Sequence, residues 1–247
     1  YELLDVLGRG GMGVVYTARQ TSVNREVAVK MIGSGQSQDD GVRAAFLDEA
    51  VITGELDHPN IVPIHELGTN RSGTLFYSMK RVTGTPWSRH IAKNGELENL
   101  KILSAVADAI AFAHSRGVVH RDLKPENVML GEYGEVLVMD WGLALVTDAF
   151  RKPASVSLSP TPGCTPSYAA PELVTGPMAV IGPHSDVYLL GAILYEIITG
   201  KPPHLARSAR ECCEIAARNG IAPTNKTGEL VEIARRRSRF SAGAQGL

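Results

Sequence analysis

The amino-acid sequence predicts an α+β fold with two unequal lobes, the first rich in strands and the second rich in helices. Up to about residue 82, short apolar and β-branched runs are separated by turn residues. These strand-like runs cover residues 2–8, 14–19, 25–32, 61–67 and 74–82. From about residue 98, apolar side chains such as Leu100, Leu103 and Ala107 recur at helical spacing. With 247 residues and 44% hydrophobic content, the chain can bury a large core.

A glycine-rich run, Gly8–Gly13, lies between the first two predicted strands. Apolar residues precede and follow the run, so we expect it to join the two strands as a hairpin. Glycine lets the backbone approach a phosphate closely and adopt positive φ without a Cβ clash. The pattern is weak evidence by itself, and an ordinary flexible hairpin is the competing interpretation.

The third predicted strand ends at a lysine, and a helix follows it. The strand closes with Val27–Lys30, and the helix is predicted over about residues 42–56, where apolar residues recur at helical spacing. Lysine is common on edge strands, so Lys30 alone indicates no function. In the second lobe, a helix is predicted to begin near Ser185 and to end at Gly200, a residue typical of helix C-termini.

The run His120–Asn127 carries the strongest chemical signal, and it reads His-Arg-Asp-Leu-Lys-Pro-Glu-Asn. A hydroxyl attacks a phosphate efficiently only if a group orients it and accepts its proton while cations neutralise the phosphate oxygens. Asp122 is suited to the first task and Lys124 to holding the migrating phosphoryl group. Asn127 offers an amide oxygen to magnesium. These residues predict phosphoryl transfer.

This run resembles the catalytic loop of eukaryotic-type protein kinases, and its lysine is typical of the serine/threonine branch. Other matches follow in the family's order. Gly8–Val15 resembles the glycine-rich loop, Asp140–Gly142 stands in the place of the family's Asp-Phe-Gly, and Ala170–Glu172 resembles the end of its activation segment. The resemblance extends from Tyr1 to about Pro203 in the style of bacterial Hanks-type kinases.

The resemblance implies a set of catalytic roles. Lys30, held by an acid of the following helix, grips the α and β phosphates; Glu49 is expected to be that acid, with its neighbour Asp48 as the competitor. Asp122 is the expected base. Lys124 is expected to contact the transferred phosphate, and Thr165 to contact both Asp122 and Lys124. Asn127 and Asp140 are the implied ligands of a divalent metal. Asp186 is expected to anchor the backbone of the catalytic loop.

ATP and magnesium, with manganese as an alternative, are the implied cofactors. The hinge between the lobes is placed at about 79–84, with the first lobe at about 1–82 and the second at about 85–247. Apolar covers and directed hydrogen bonds are what an adenine pocket needs. The implied nucleotide-binding residues are Leu7, Gly8, Gly10, Gly13, Val15, Ala28, Lys30, Met79, Lys80, Val82 and Met129.

Three features depart from the family pattern or leave regulation open. Trp141 replaces the phenylalanine whose packing sets active and inactive states. Glu172 ordinarily pairs with a buried arginine near the end of the domain, but the pattern becomes atypical after about residue 203 and only Arg237 or Arg239 offers a substitute. A marginally stable second lobe is therefore expected. Phosphorylation in the Ser- and Thr-rich stretch is implied, with Ser155, Ser157, Ser159 and Thr161 as candidates, and an unmodified linker is the competing interpretation.

Composition narrows the partners. A formal net charge of -1 argues against nucleic acid, and no apolar run approaches the roughly 20 residues that span a bilayer. Three cysteines, Cys164, Cys212 and Cys213, form no disulfide or zinc pattern and indicate reduced thiols in the cytoplasm. Protein substrates with serine or threonine are expected. Self-association for autophosphorylation is a further possibility that the sequence leaves open. A membrane anchor outside these residues is left open as well.

Two rival functions remain at this point. A pseudokinase or docking module would bind nucleotide or partners without transferring phosphate; Trp141 and the atypical end of the chain keep this alternative open. A kinase-like enzyme acting on small molecules is disfavoured by Lys124, Thr165 and the Ala170–Glu172 motif, which are features of kinases that act on proteins.

Overall fold

The computed structural model describes residues 1–33, 39–147 and 163–237, with the backbone alone for residues 235–237. These residues form an α+β structure with the two predicted lobes: a sheet with one helix in the first, and mostly helices in the second.

The first lobe is a five-stranded antiparallel sheet in the order β1-β2-β3-β5-β4. Its strands are β1 (Glu2–Gly10), β2 (Gly13–Gln20), β3 (Arg25–Ile32), β4 (Ile64–Thr69) and β5 (Leu75–Lys80). Helix α1 (Asp40–Glu55) starts where the Asp39 side chain accepts a hydrogen bond from the Val42 amide. Phe46 and Ala50 on this helix pack against the buried face of the sheet, and this packing makes the core of the first lobe.

The turn between β1 and β2 shows why the sequence needs glycine there. Gly10 pairs with Gly13 across the hairpin, and Gly11 and Met12 form the turn. A Cβ atom at Gly13 would lie 2.0 Å from the Met31 carbonyl oxygen on β3, which no side chain could tolerate. The predicted hairpin is confirmed, and Gly13 allows β2 and β3 to approach closely at this end.

One strand boundary was predicted wrongly. The strand expected from residue 61 begins only at Ile64. Ile61 instead makes an isolated parallel bridge to Val138, and Val62 donates its amide to the Val138 carbonyl. Because Ile61 and Val62 are buried in two different core clusters, this stretch joins the lobes instead of extending β4.

The second lobe contains five helices among the described residues: α2 (Glu96–Ser115), α3 (Pro171–Thr175), α4 (Pro183–Thr199), α5 (Ala209–Ala217) and α6 (Glu229–Arg237). Strands β6 (Gly84–Pro86), β8 (Val128–Gly131) and β9 (Val136–Val138) form one small sheet, and β7 (Val118–Val119) pairs with β10 (Leu145–Val146). Strands of two to four residues carry too little periodicity to predict, which explains why most of them were missed.

Helix α4 is the central element of the second lobe. Tyr188, Leu189, Ala192 and Ile193 on it are all buried, and α2 and α6 pack against it. The helix ends at Gly200, whose φ of 77° is the left-handed conformation expected of a glycine C-cap. Its first turn lies beneath the loop His120–Asn127, so α4 links the core to the candidate site. Among the described residues, no helix combines the length and apolar character that crossing a membrane requires.

Asp48 is a destabilising feature of α1. It is 7% exposed, and its carboxylate makes no hydrogen bond or ion pair within the described residues. Burial raises the pKa of Asp48 from 3.8 to about 6. The folded chain therefore binds this proton more tightly than the unfolded chain, so its stabilising contribution is complete below about pH 4 and is lost as the pH rises through about 6.

We expect Asp48→Asn to stabilise the protein at neutral pH. The free energy of unfolding should rise by about 1–3 kcal/mol at pH 7.5, and the gain should shrink as the pH falls toward 4. Urea unfolding at several pH values measures this difference. Asp108→Asn, an exposed carboxylate on α2, is the control. A gain independent of pH would contradict the assignment to Asp48 ionisation.

Candidate active site

Lys30 and Glu49 form an ion pair between β3 and α1. The Lys30 Nζ atom lies 2.7 Å from both carboxylate oxygens of Glu49. The side chains are 14% and 3% exposed, and the Tyr77 hydroxyl donates a third hydrogen bond to Glu49 at 2.7 Å. Burial, with the Glu49 charge as a second cause, raises the pKa of Tyr77, which keeps its hydroxyl a donor. Lys30 pairs with Glu49, and Asp48 takes no part in the contact.

Asp122, Lys124 and Thr165 form a closed hydrogen-bonded triangle. Lys124 Nζ donates to Asp122 Oδ2 at 2.7 Å and to Thr165 Oγ1 at 2.6 Å. The Thr165 hydroxyl donates in turn to Asp122 Oδ1 at 2.6 Å. Asn127 Nδ2 donates to the Asp122 carbonyl at 2.8 Å and to its carboxylate at 3.1 Å. Thr165 lies 41 positions after Lys124 and 43 positions after Asp122 in the sequence. The segment that carries Thr165 and the loop His120–Asn127 thus meet at the Asp122 carboxylate.

The backbone of this loop is anchored from below by Asp186 on the first turn of α4. Its buried carboxylate accepts hydrogen bonds from the amides of His120 and Arg121, both at 2.8 Å, and contacts His114 Nε2 at 2.8 Å. Arg121 has a φ of 70°, a left-handed conformation that is costly for a residue with a Cβ atom. The predicted anchoring by Asp186 is confirmed, and it holds the loop in this strained conformation beside Asp122.

The Arg121 side chain is also buried, at 2% exposure. Its Nε donates to the Leu143 carbonyl, and its guanidinium lies 3.7 Å from the Met178 sulfur. Burial lowers the pKa of Arg121, while the nearby carboxylates of Asp186 and Asp122 oppose that shift. Arg121 therefore connects the loop to the segment after Asp140. The candidate phosphorylation sites, Ser155, Ser157, Ser159 and Thr161, lie outside the described residues.

Asp140 and Asn127 fit the oxygen ligands that a hard divalent cation prefers. Because Asn127 uses its amide nitrogen to bond Asp122, its amide oxygen is available as a ligand. The Met139 amide donates to the Asn127 carbonyl at 2.8 Å, and this bond keeps Asp140, the next residue, close to Asn127. Asp140 itself has a φ of 57°. In the described parts of the chain no three His, Cys, Asp or Glu side chains are grouped to hold a metal. One carboxylate and one amide match a magnesium ion completed by phosphate oxygens and water.

A cavity of about 370 Å³ lies between the lobes beside these groups. It is bounded by the glycine-rich turn, by Lys30 and Glu49, and by Asp140 and Trp141. Six of the expected nucleotide-binding residues line it, namely Gly8, Gly10, Gly13, Val15, Lys30 and Met79. The cavity therefore brings the glycine backbone, a cation and a carboxylate to one space.

Five other expected nucleotide-binding residues do not line this cavity. Ala28 is buried on β3 opposite Met79, and Met129 lies on β8. Leu7 is 52% exposed on β1, and Lys80 pairs with Glu135 at 3.1 Å. Val82 lies in the irregular connection between β5 and β6.

Trp141 is packed inside the core below the cavity. It is 1% exposed, and its ring centroid lies 4.6 Å from that of His120. The indole Nε1 is buried without a hydrogen-bond partner in the described structure. A buried donor without an acceptor costs about 1–3 kcal/mol. The tryptophan is therefore accommodated by packing, and at an energetic cost that the family's phenylalanine would not incur.

Glu172 has partners that the sequence did not predict. The Ser185 hydroxyl donates to Glu172 Oε1 at 2.8 Å, and His184 Nε2 lies 3.5 Å from the same oxygen. The side chain of Arg237 and the whole of Arg239 lie outside the described residues. The first turn of α4 thus supplies the contacts for which an arginine was expected.

Two residues of the site were missed because their sequence context carries no signal. Tyr77 looks like an ordinary strand residue, and its bond to Glu49 spans 28 positions. His114 looks like part of an apolar helix face, and its contact with Asp186 spans 72 positions.

All three cysteines are unbridged, and burial raises the pKa of the Cys164 thiol to about 11, which keeps it protonated and poorly reactive.

Comparison with known proteins agrees with this geometry. Residues 1–243 match the family described as "Protein kinase domain". The serine/threonine-protein kinase PknD of Protochlamydia amoebophila is 36% identical over 233 residues, which cover 82% of this chain and 23% of that protein. PrkC of Bacillus subtilis is 36% identical over 214 residues, covering 85% of this chain and 32% of that protein.

The chain spans about a quarter of the length of the PknD proteins that it matches. The family match covers nearly all residues of this chain, and the relatives are named serine/threonine-protein kinases, the family that the sequence motifs resemble. The chain therefore belongs to the protein kinase family, among the bacterial Hanks-type serine/threonine kinases.

Proposed function

We propose that this chain is an ATP-dependent protein kinase that transfers the γ-phosphoryl group to serine and threonine hydroxyls, including its own. The observation that carries the proposal is the triangle of Asp122, Lys124 and Thr165, with all three distances between 2.6 and 2.7 Å. A buried carboxylate held by a cation and a hydroxyl is arranged to receive a substrate hydroxyl, and Lys124 and Thr165 are expected features of enzymes that act on proteins.

In this proposal the residues around the cavity hold the nucleotide. The backbone at Gly8, Gly10 and Gly13 approaches the phosphates, and Lys30 binds the α and β phosphates in the position that Glu49 sets. Val15, Ala28 and Met129 cover the adenine, with Leu7 and Met79 at its edge. Lys80 and Val82 lie at the hinge, where backbone groups would bond the adenine. The support is the 2.7 Å Lys30–Glu49 ion pair and the cavity that Gly8, Gly10, Gly13, Val15, Lys30 and Met79 line.

Phosphoryl transfer then follows from placement and electrostatics. Asp122 orients the substrate hydroxyl and accepts its proton as the oxygen bonds to the γ-phosphorus. The bond between the γ-phosphorus and the β–γ bridging oxygen breaks, and the electron pair leaves with ADP. Lys124 stabilises the negative charge on the transferred group. Asp140 and Asn127 would hold magnesium, or manganese in its place, and the bound cation would neutralise phosphate charge.

The test is to incubate the purified chain with ATP labelled at the γ position and magnesium, alone and with a generic protein substrate. Label on serine or threonine is the expected result, and mass spectrometry locates the modified residues. ATP binding without label on protein would instead identify a pseudokinase. Label transferred to a small molecule but not to protein would identify a kinase-like enzyme that acts on small molecules.

Further proposals concern the whole domain. We infer that residues 1–247 act as one kinase domain, with a hinge at about 79–84 between lobes of about 1–82 and 85–247, and with an atypical region after about residue 203. Its substrates are proteins, it needs no nucleic acid, and it acts in the cytoplasm, alone or as part of a membrane-anchored protein. Self-association would bring one copy's hydroxyls to another's site.

A further inference from the structure

Glu172 presents an electrostatic problem. Its side chain is 8% exposed, and both of its contacts fall on one oxygen, Oε1. The other oxygen, Oε2, is buried and has no hydrogen-bond partner in the described structure. A buried carboxylate is costly unless positive charge and hydrogen bonds balance it. Ser185 supplies a hydrogen bond but no charge, so a positive charge beside Glu172 would stabilise its carboxylate.

His184 is the side chain able to carry a positive charge that the structure places against Glu172. Its Nε2 lies 3.5 Å from Glu172 Oε1, and its ring folds back over the backbone of Gly182. The side chain is 44% exposed, so a proton reaches it from solvent. Histidine gains and loses its charge near neutral pH. The imidazolium form would be attracted to Glu172, whereas the neutral form would offer at most a weak hydrogen bond.

The position of His184 connects two parts of the site. Three consecutive residues on the first turn of α4 make the contacts: His184 and Ser185 reach Glu172, and Asp186 binds the amides of His120 and Arg121. Glu172 ends the segment that carries Thr165. A change in the contact with Glu172 therefore acts on the loop that presents Thr165, from the same turn that anchors the Asp122 loop.

We propose that His184 is the charge partner of buried Glu172 and acts as a positioning residue for the segment 163–172. It contacts no reacting atom. It holds the end of this segment on α4, which is the role that the family resemblance assigns to an arginine. The proposal concerns the same site as the proposed kinase function, but its central test, a stability measurement, does not rest on that function.

Other groups around Glu172 do not replace this charge. The Tyr188 hydroxyl faces it from the next turn of α4, and burial together with the Glu172 charge raises the pKa of Tyr188, so this group stays neutral. The turn Met178–Val180, packed near α3, carries no ionisable side chain. The N-terminus of α4 contributes partial positive charge.

Helix α5 also packs against α3, but its Arg210 is 90% exposed and pairs with Glu214 at 3.4 Å. His204 contacts the Tyr188 hydroxyl at 3.1 Å, and burial lowers its pKa, which favours the neutral ring. Among the described side chains, His184 is the one that can carry a positive charge and lies within ion-pair distance of Glu172.

The experiment is a double-mutant cycle on the full chain. His184→Gln removes the charge but keeps a donor of similar size, and Glu172→Gln removes the opposite charge. Thermal unfolding is measured under one set of conditions for the native chain, both single variants and the double variant. His65→Gln, an exposed histidine on β4, is the matched control. Because His184 is 44% exposed, its replacement should leave the fold intact.

We expect His184→Gln to lower the unfolding midpoint by about 2–4 °C in the native background. It should have no effect in the Glu172→Gln background, because the charge that His184 balances is then gone. An equal shift in both backgrounds, or no shift in either, would overturn the proposal. His65→Gln should leave the midpoint unchanged in both backgrounds.

A second variant separates charge from packing. His184→Arg carries a permanent charge, so its unfolding midpoint should equal or exceed the native one, whereas the midpoint of His184→Gln falls below it. If the chain is active, kcat/KM for a protein substrate should follow the same order, with His184→Arg rescuing the loss in His184→Gln. An arginine variant that behaves like the glutamine variant would reject the charge role. Failure of the kinase assay alone would leave the stability cycle unaffected.

Discussion

Replacing Asp122 by asparagine is expected to lower turnover at least about a hundredfold, the usual contribution of a positioned base. Asparagine cannot accept the substrate proton, and it offers only one side-chain oxygen to Lys124, Thr165 and Asn127, which now share two. Asp122 does not line the cavity, so nucleotide affinity should remain nearly unchanged. Steady-state kinetics with labelled ATP measures the first quantity, and titration calorimetry measures the second.

The control for this prediction is Asp108→Asn, which makes the same chemical change at an exposed position of α2. It should retain full turnover. The unfolding midpoint of Asp122→Asn must also be measured, because the loss should exceed what any change in folded population explains. If Asp122→Asn keeps native turnover while folded, Asp122 is not the base and the proposed mechanism is wrong.

The largest loss of stability is expected from Asp186→Ala. This change leaves the buried amides of His120 and Arg121 without acceptors and removes the contact with His114. Removing one partner from a buried charged network typically costs about 3–5 kcal/mol. The amide bonds also hold Arg121 in its left-handed conformation, so turnover should fall even in the molecules that remain folded. Urea unfolding followed by circular dichroism measures the stability loss.

Asp108→Ala serves as the exposed control and should change the free energy of unfolding by less than about 0.5 kcal/mol. Asp186→Asn keeps one acceptor oxygen and should give an intermediate loss. A loss below about 1 kcal/mol for Asp186→Ala would show that water or another group satisfies these amides, and that the anchoring role assigned to Asp186 is small.

Local patterns predicted much of the fold. The run 25–32 coincides with β3, and the helical spacing near Ser185 and the glycine at 200 identified most of α4. These predictions succeeded because strand alternation, helical periodicity and glycine C-caps depend on neighbouring residues. The strand predicted from residue 61 was wrong because tertiary packing placed Ile61 and Val62 in two different core clusters, a choice that no local pattern contains.

In the candidate site too, local motifs predicted some residues and tertiary packing decided the others. The residue types in the motifs are enough to point to Lys30, Asp122 and Asp140, because phosphoryl transfer demands a cation, a base and a metal ligand. The sequence left the partner of Glu172 open between distant arginines. The structure places His184 and Ser185 there, and it also brings Tyr77 to Glu49 and His114 to Asp186.

The sequence by itself determined the family, the order of the motifs and the residue types that make phosphoryl transfer chemically reasonable. Only the tertiary structure decided which groups support them, namely the third hydrogen bond to Glu49, the His114 contact beneath the Asp122 loop and the His184 contact beside Glu172. The physical reason is range. Motif chemistry resides in a few adjacent residues, whereas burial, charge balance and hydrogen bonding depend on side chains that meet only after the core has packed.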